Sequence, residues 1–203
     1  MSGGALLIKL FAIFLAAVLI QNFVFIRFLG LCPYMGVSSS LTNSIGMGLA
    51  VIFVMTLASF FTFYIYHYVL VPLKITYLRT IFFILVIAGL VQFVEMFLQR
   101  YMPNLYDALG IYLPLITTNC AILGVTILNI NSNYNLAETL TNAIGSGLGF
   151  TLAITLMAAT RERLELEGIP KAFRGLPIAF ITAALMSIAF MGFSGIDRAL
   201  FAG

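Results

Sequence analysis

The chain has 203 residues, of which 62% are hydrophobic and 8% charged, with a formal net charge of +3. A soluble domain carries about 25% charged residues, so this composition excludes a water-soluble globular enzyme and leaves an integral membrane protein. The few cations form no basic patch of the kind a nucleic acid requires, and no basic stretch with a small-residue cleavage site opens the chain, so no cleaved leader is expected.

A membrane-crossing helix needs about 20 mostly apolar residues. Six segments qualify, at roughly 5–26, 45–66, 80–98, 105–128, 138–160 and 172–193. Their apolar runs are continuous and too long for barrel strands. The predicted fold class is therefore an all-α integral membrane protein with six transmembrane helices in one membrane domain, 1–203. Short polar connections separate the spans. Ser38-Ser39-Ser40 with Thr42-Asn43-Ser44 form the first; Pro72, Lys74 and Arg79 mark the second; Arg100 to Asp107, with Pro103, make the third. Asn129, Asn131, Asn133 and Asn135 make the fourth, and Arg161-Glu162-Arg163 through Pro170 the fifth.

The two halves of the chain share a pattern. Cys32 and Cys120, the only cysteines, are each followed by Gly-Val at the fourth and fifth positions. Ile45-Gly46-Met47-Gly48-Leu49 then corresponds to Ile144-Gly145-Ser146-Gly147-Leu148, and Thr56-Leu57 to Thr155-Leu156. Arg79 precedes Ala88-Gly89-Leu90 by the same spacing as Arg174 precedes Ala183-Ala184-Leu185. This order predicts two three-helix repeats, about 5–98 and 105–193. An odd number of spans per repeat inverts the second copy, and in inverted repeats the paired Gly/Pro-interrupted segments point to a midplane site. Those segments are Gly30/Pro33 around Cys32 and Gly110/Pro114 before Cys120. Both are expected to be broken or re-entrant helices, with Pro114 able to break the fourth span. With the N-terminus on side A, four cations (Lys9, Lys74, Arg79, Arg198) face side A and six (Arg27, Arg100, Arg161, Arg163, Lys171, Arg174) face side B. The excess assigns side B to the cytoplasm and both termini to the outside.

Thiolates are the usual ligands of iron–sulfur clusters, four per cluster. Two cysteines at one repeat position supply half of such a site, and a second copy or a partner of the same fold would supply the rest. Two other readings stand beside this one: small buried hydrophobes or a Cys32–Cys120 disulfide.

The runs Asn22-Phe23-Val24, Phe28-Leu29-Gly30-Leu31-Cys32-Pro33-Tyr34-Met35-Gly36-Val37-Ser38 and Leu109-Gly110-Ile111-Tyr112-Leu113-Pro114-Leu115-Ile116-Thr117-Thr118-Asn119-Cys120 resemble the A-type subunit of the Rnf electron-transport complex. So do Arg161-Glu162-Arg163, Phe173-Arg174-Gly175 and Phe190-Met191-Gly192-Phe193-Ser194-Gly195. The related E-type subunit of the sodium-pumping NADH:quinone reductase is similar but fits less well around Cys32. Two lysines often follow Gly-Val-Ser in the family, and Ser39-Ser40 stand there here. The resemblance implies a six-helix subunit paired with a homologous sister of inverted topology, the pair binding one [2Fe–2S] cluster with Cys32 and Cys120 as this chain's ligands. It implies a bacterial or archaeal inner-membrane complex that couples electron flow between ferredoxin and NAD to Na⁺ or H⁺ movement. Its other subunits would carry flavin and further iron–sulfur centres, and this chain would not be catalytic on its own.

Among the remaining polar residues, Asn22, Thr118 and Asn119 are candidates to donate hydrogen bonds to cluster sulfur, against ordinary interhelical bonding. Glu95, in the third span, is the candidate for an ion path, against a side chain that reaches the interface. Arg27 is read as a headgroup anchor and His67 as part of an aromatic belt. The alternative function is a small inverted-repeat secondary transporter without a metal site; a third is a purely structural subunit. Neither explains the symmetric cysteines.

Overall fold

The computed structural model describes residues 3–38, 40–101, 113–166, 170, 173 and 175–195, and every regular element among them is helical. Helix α1 (Gly3–Leu15) runs into a π-helical turn, Ala16–Ile20, and ends there. An irregular segment, 21–30, leads into the short helix α2 (Leu31–Val37). Helix α3 (Leu41–Ile65) is capped by Ser40, whose hydroxyl accepts from the Asn43 N–H, and is extended by a second π-helical turn, Tyr66–Leu70. A single 3-10 turn (Thr76–Leu78) precedes α4 (Arg79–Tyr101). Helices α5 (Leu113–Thr117) and α6 (Cys120–Asn131) flank a two-residue break. The long α7 (Leu136–Leu166), α8 (Leu176–Met191) and a closing 3-10 turn (Gly192–Gly195) complete the described order.

Among the described residues, three stretches are long and apolar enough to cross a bilayer: Leu41–Leu70, Thr76–Met96 and Leu136–Leu164. Three shorter apolar helical stretches, Leu6–Ile20, Leu115–Asn131 and Leu176–Met191, accompany them. The chain is a multi-pass helical membrane protein. Lipid tails give helices no hydrophobic reason to associate, so membrane helices pack through small residues that admit close backbone approach. α3 and α7 make the most extensive helix contact, and glycines on both sides make it possible. A Cβ on Gly48 would run into the Thr151 side chain, and one on Gly147 would fall 2.8 Å from Ile52 Cγ1. Gly145 lets α1 approach α7 in the same way, meeting Ala17 and the Phe14 carbonyl. Around this pair the core closes with Tyr34, Met47, Met55, Phe150 and Ile154, all fully buried.

Several boundaries depart from the sequence reading. The first span does not continue to residue 26. Its helix stops at Ile20 because the Asn22 side chain takes over the local backbone: its Oδ1 accepts from the Val24 N–H at 3.0 Å, and its Nδ2 donates to the Gly149 carbonyl on α7 at 2.7 Å. Irregular backbone at membrane depth is tolerated only inside protein, and Asn22, Phe23, Val24 and Phe25 are all buried. In the fourth segment the described break falls at Thr118-Asn119, after the helix that contains Pro114; what precedes Leu113 lies outside the described residues. Arg161-Glu162-Arg163 is not a connection, because α7 runs through it to Leu166. Gly110 and most of the Arg100–Asp107 connection lie outside the described residues.

Candidate metal centre

Both cysteines open a helix. Cys32 is the second residue of α2, and Cys120 is the first of α6. Each follows a break that local chemistry explains. Before α2, Gly30 adopts φ +81, a left-handed conformation in which a side chain is strained, and it caps the helix. Before α6, Asn119 is extended, and its Oδ1 accepts from the Ala121 N–H at 3.0 Å, the usual N-cap device.

The two breaks touch. The Gly30 N–H donates to Cys120 Sγ at 2.9 Å. A Cβ on Gly30 would meet Phe150 Cε2 at 2.9 Å, Ala121 Cβ at 3.2 Å and Asn119 Oδ1 at 3.3 Å, so the approach has no room for a side chain. The start of α6 therefore lies against the residue that starts α2. Both thiols are free, which removes the disulfide reading; Cys32 is exposed and Cys120 half-buried.

Sulfur at this place is well suited to a metal. The start of a helix presents unpaired N–H groups, with their partial positive charge, to a metal-bound sulfur. Cys120 has that position on α6 and a backbone donor besides. The neighbouring Asn119 is 3% exposed, and its Nδ2 has no partner among the described residues. A buried donor left unpaired costs about 1–3 kcal/mol, so an unspent amide beside a sulfur is a place where a further acceptor fits. Among the described residues no group of three or more His, Cys, Asp or Glu could hold a metal. A metal held by these thiols would have to draw further ligands from elsewhere.

The other predicted residues fall in different places. Asn22 is committed to backbone carbonyls and the Val24 N–H, so it braces the first break against α7. Thr118 is exposed in the second break. Arg27 is exposed, with its guanidinium 5.7 Å from the centroid of the Phe23 ring. His67 stacks on Phe63 with ring centroids 4.4 Å apart. Glu95 is half-buried on α4, a helix that packs against α3, α5 and α6.

Two features escaped the sequence reading. Arg161, near the end of α7, donates from Nη1 to the Met35 carbonyl and to Ser38 Oγ, both at 3.0 Å. It thereby satisfies the last turn of α2, whose carbonyls have no helical donor. Nothing in its local sequence separates it from the neighbouring charges. Glu138 accepts from the Asn135 N–H at 3.0 Å and pairs with Lys9 of α1 at 2.7 Å. The capping spacing Asn135-x-x-Glu138 was legible, but the distant lysine was not.

A helical membrane protein whose two interrupted helices bring free thiols to their starting turns is the class that fold and site define. A family model described as "Rnf-Nqr subunit, membrane protein" matches residues 10–197, and the chain belongs to that family. It is 56% identical over 183 residues to the A-type subunit of the Na⁺-translocating ferredoxin:NAD⁺ oxidoreductase complex of Acetobacterium woodii, covering 90% of this chain and 95% of that one. It is 56% identical to the A-type subunit of the ion-translocating oxidoreductase complex of Aeromonas hydrophila, covering 89% and 94% of the two chains. Its identity to the corresponding protein of Cronobacter sakazakii is 55%, covering 92% and 96%.

Proposed function

We propose that this chain is the electron-carrying membrane subunit of an ion-translocating ferredoxin:NAD oxidoreductase complex. In this reading Cys32 and Cys120 supply two ligands of a [2Fe–2S] cluster, and a homologous subunit of inverted topology supplies the other two. Such a cluster, when bound, relays single electrons between the two faces of the membrane. The chain itself carries no catalytic group for the ferredoxin or nicotinamide chemistry, which belongs to other subunits bearing flavin and iron–sulfur centres.

The observation that carries the reading is the contact between the two breaks, in which the Gly30 N–H meets Cys120 Sγ while Cys32 follows two residues later. The residues around it do defined work. Gly30 permits the approach and donates to sulfur, Asn119 starts α6 and keeps a donor in reserve, and Arg161 holds the far end of α2. An N–H donor to a ligand sulfur stabilises extra negative charge there and so raises a cluster's potential.

The six-span inverted repeat is part of the same proposal. Aligned copies pair Gly48 with Gly147 and Ile52 with Thr151, and the contacts between α3 and α7 are reciprocal in that alignment: Gly48 against Thr151, Gly147 against Ile52. A self-complementary contact of this kind is what a two-fold axis between equivalent helices produces. The proposed orientation puts both termini outside an inner membrane, with Lys9 and Glu138 near the outer face and Arg161 near the inner one.

The test is electron paramagnetic resonance on the reduced, purified complex, comparing wild type with an assembled Cys32→Ala/Cys120→Ala variant. Loss of one [2Fe–2S] signal and of about two irons per complex is the expected result. An unchanged spectrum and iron content in an assembled variant overturns the reading and leaves a transporter without a metal site.

A further inference from the structure

α7 carries a buried polar strip that the thiol site does not use. Glu138, Thr139, Asn142 and Ser146 lie on adjoining helical positions and are 3%, 1%, 5% and 0% exposed. The strip spans about 12 Å from Glu138 to Ser146 at 1.5 Å per residue. One turn further on, the Gly149 carbonyl accepts from Asn22 Nδ2 in the first break. Asn129 of α6 faces the strip, its Oδ1 accepting from Asn142 Nδ2 at 2.6 Å. At the outer end Lys9 reaches in from α1 to Glu138 Oε1 at 2.7 Å; the carboxylate side chain is 4% exposed and the lysine 50%.

Three atoms along this strip have no hydrogen-bond partner among the described residues: Asn129 Nδ2, Thr139 Oγ1 and Ser146 Oγ. Buried polar groups are paired in nearly all proteins, and three orphans on one short path are too many for a packing accident. Ordered water would satisfy all three, and a cation would meet the two hydroxyl oxygens while water takes the amide N–H. The donor set is one carboxylate with hydroxyl and amide oxygens and contains neither thiol nor imidazole. Oxygen-only sets suit hard cations rather than transition metals, and a single carboxylate balances one positive charge. Lys9 already holds that charge on Glu138, on a side chain half in the open and free to swing away.

We infer that the strip on α7 is a binding path for a monovalent alkali cation of the Na⁺ type, entered at Glu138, and that the Lys9 ammonium is its tethered competitor. An arriving cation replaces the ammonium on the carboxylate, so net charge at the site is unchanged. It then exchanges water for the oxygens of Thr139, Asn142 and Ser146 as it moves toward the Asn22 break. The inference rests on the ion-translocating reading above, and it places the path on α7 rather than at Glu95.

The experiment uses the purified complex in proteoliposomes, measuring ferredoxin-driven ²²Na⁺ uptake and the Na⁺ concentration for half-maximal ferredoxin:NAD activity. Glu138→Gln removes the anionic oxygen and is expected to raise that concentration at least tenfold. Lys9→Met removes the competitor and is expected to lower it about threefold or more, since an internal competitor reduces apparent affinity by the fraction of sites it blocks. Ser146→Ala should weaken uptake in the direction of Glu138→Gln, and it carries the test if Glu138→Gln does not assemble. Opposite shifts for Lys9→Met and the strip variants support the path. Shifts in the same direction, as loss of a merely structural ion pair would give, overturn it, as do unshifted values. Wild-type activity that ignores Na⁺ while proton uptake persists overturns the alkali-cation assignment. The cluster signal is recorded in every sample: its absence from wild type refutes the electron-transfer reading, whereas its presence with unshifted Na⁺ dependence refutes the path alone.

Discussion

Gly30 shows how much of this site depends on the absence of an atom. Its φ of +81 is costly for any side chain, and the Cβ an alanine would add lies 2.9 Å from the Phe150 ring. The left-handed conformation alone costs an L-residue about 1–2 kcal/mol, and the ring must also move. Gly30→Ala should therefore lower the melting temperature of the complex. It should also shift the midpoint potential of the proposed cluster downward, because the N–H that reaches Cys120 Sγ is displaced. Redox titration followed by paramagnetic resonance checks the second point, and an unchanged potential would mean that this N–H does not serve the sulfur. The glycine-proline interruption around Cys32 was legible in the sequence. The donor-to-sulfur contact was not, because it joins residues of different halves and depends on how the breaks meet. The part assigned to Asn22 changed for a similar reason: an asparagine in an apolar run advertises a polar partner, but not whether that partner is sulfur or, as here, the Gly149 carbonyl.

Among the elements, α2 cannot stand alone. Seven residues with proline in the first turn are far below the length at which an isolated helix is stable. Arg161 supports its last turn through the Met35 carbonyl and Ser38 Oγ. Arg161→Ala leaves those acceptors without a charged donor, a loss worth about 1.5–3 kcal/mol, and should reduce occupancy of the proposed cluster, read as iron per complex. Arg161→Lys should restore occupancy in part, since one ammonium has donors for both acceptors but sits on a differently shaped side chain. Charge-rich Arg161-Glu162-Arg163 reads as a connection from sequence, yet Arg and Glu are good helix formers, and α7 uses them to continue beyond the apolar span. The contact of α3 with α7 makes a second, contrasting prediction. Gly48→Ala should cost about 1–3 kcal/mol through overpacking against Thr151. Gly89→Ala, where nothing lies within 4 Å, should be neutral or stabilising by about 0.5–1 kcal/mol. Thermal unfolding of the two variants in one detergent checks the pair, and equal losses would remove the argument that small residues set this interface. The Gly-x-Gly spacing announced close packing, though not which side chains would fill it.

At the scale of the whole molecule, the exposed apolar surface has two kinds of neighbour to meet. Side chains such as Ile84, Leu85 and Phe93 of α4, and Leu185 and Ile188 of α8, are apolar and exposed, as lipid contact requires. The region around Cys32 differs: the thiol is exposed, Gly36 one turn later is exposed with nothing near its Cβ position, and Phe28 stands out at 58% exposure. A ligand thiol facing lipid would leave its cluster with half a coordination shell, so the proposed sister subunit must cover this face. Cys32 should therefore resist a membrane-permeant maleimide in the intact complex. It should react in membranes from a strain lacking the sister subunit, where the same face is open. Cys120, half-buried and hydrogen-bonded to Gly30, should react more slowly than Cys32 in the second sample, giving an internal control within one chain. Mass spectrometry of the labelled peptides reads both sites. Equal labelling of Cys32 with and without the sister would mean that no partner covers it, and the four-ligand centre shared between two chains would have to be abandoned.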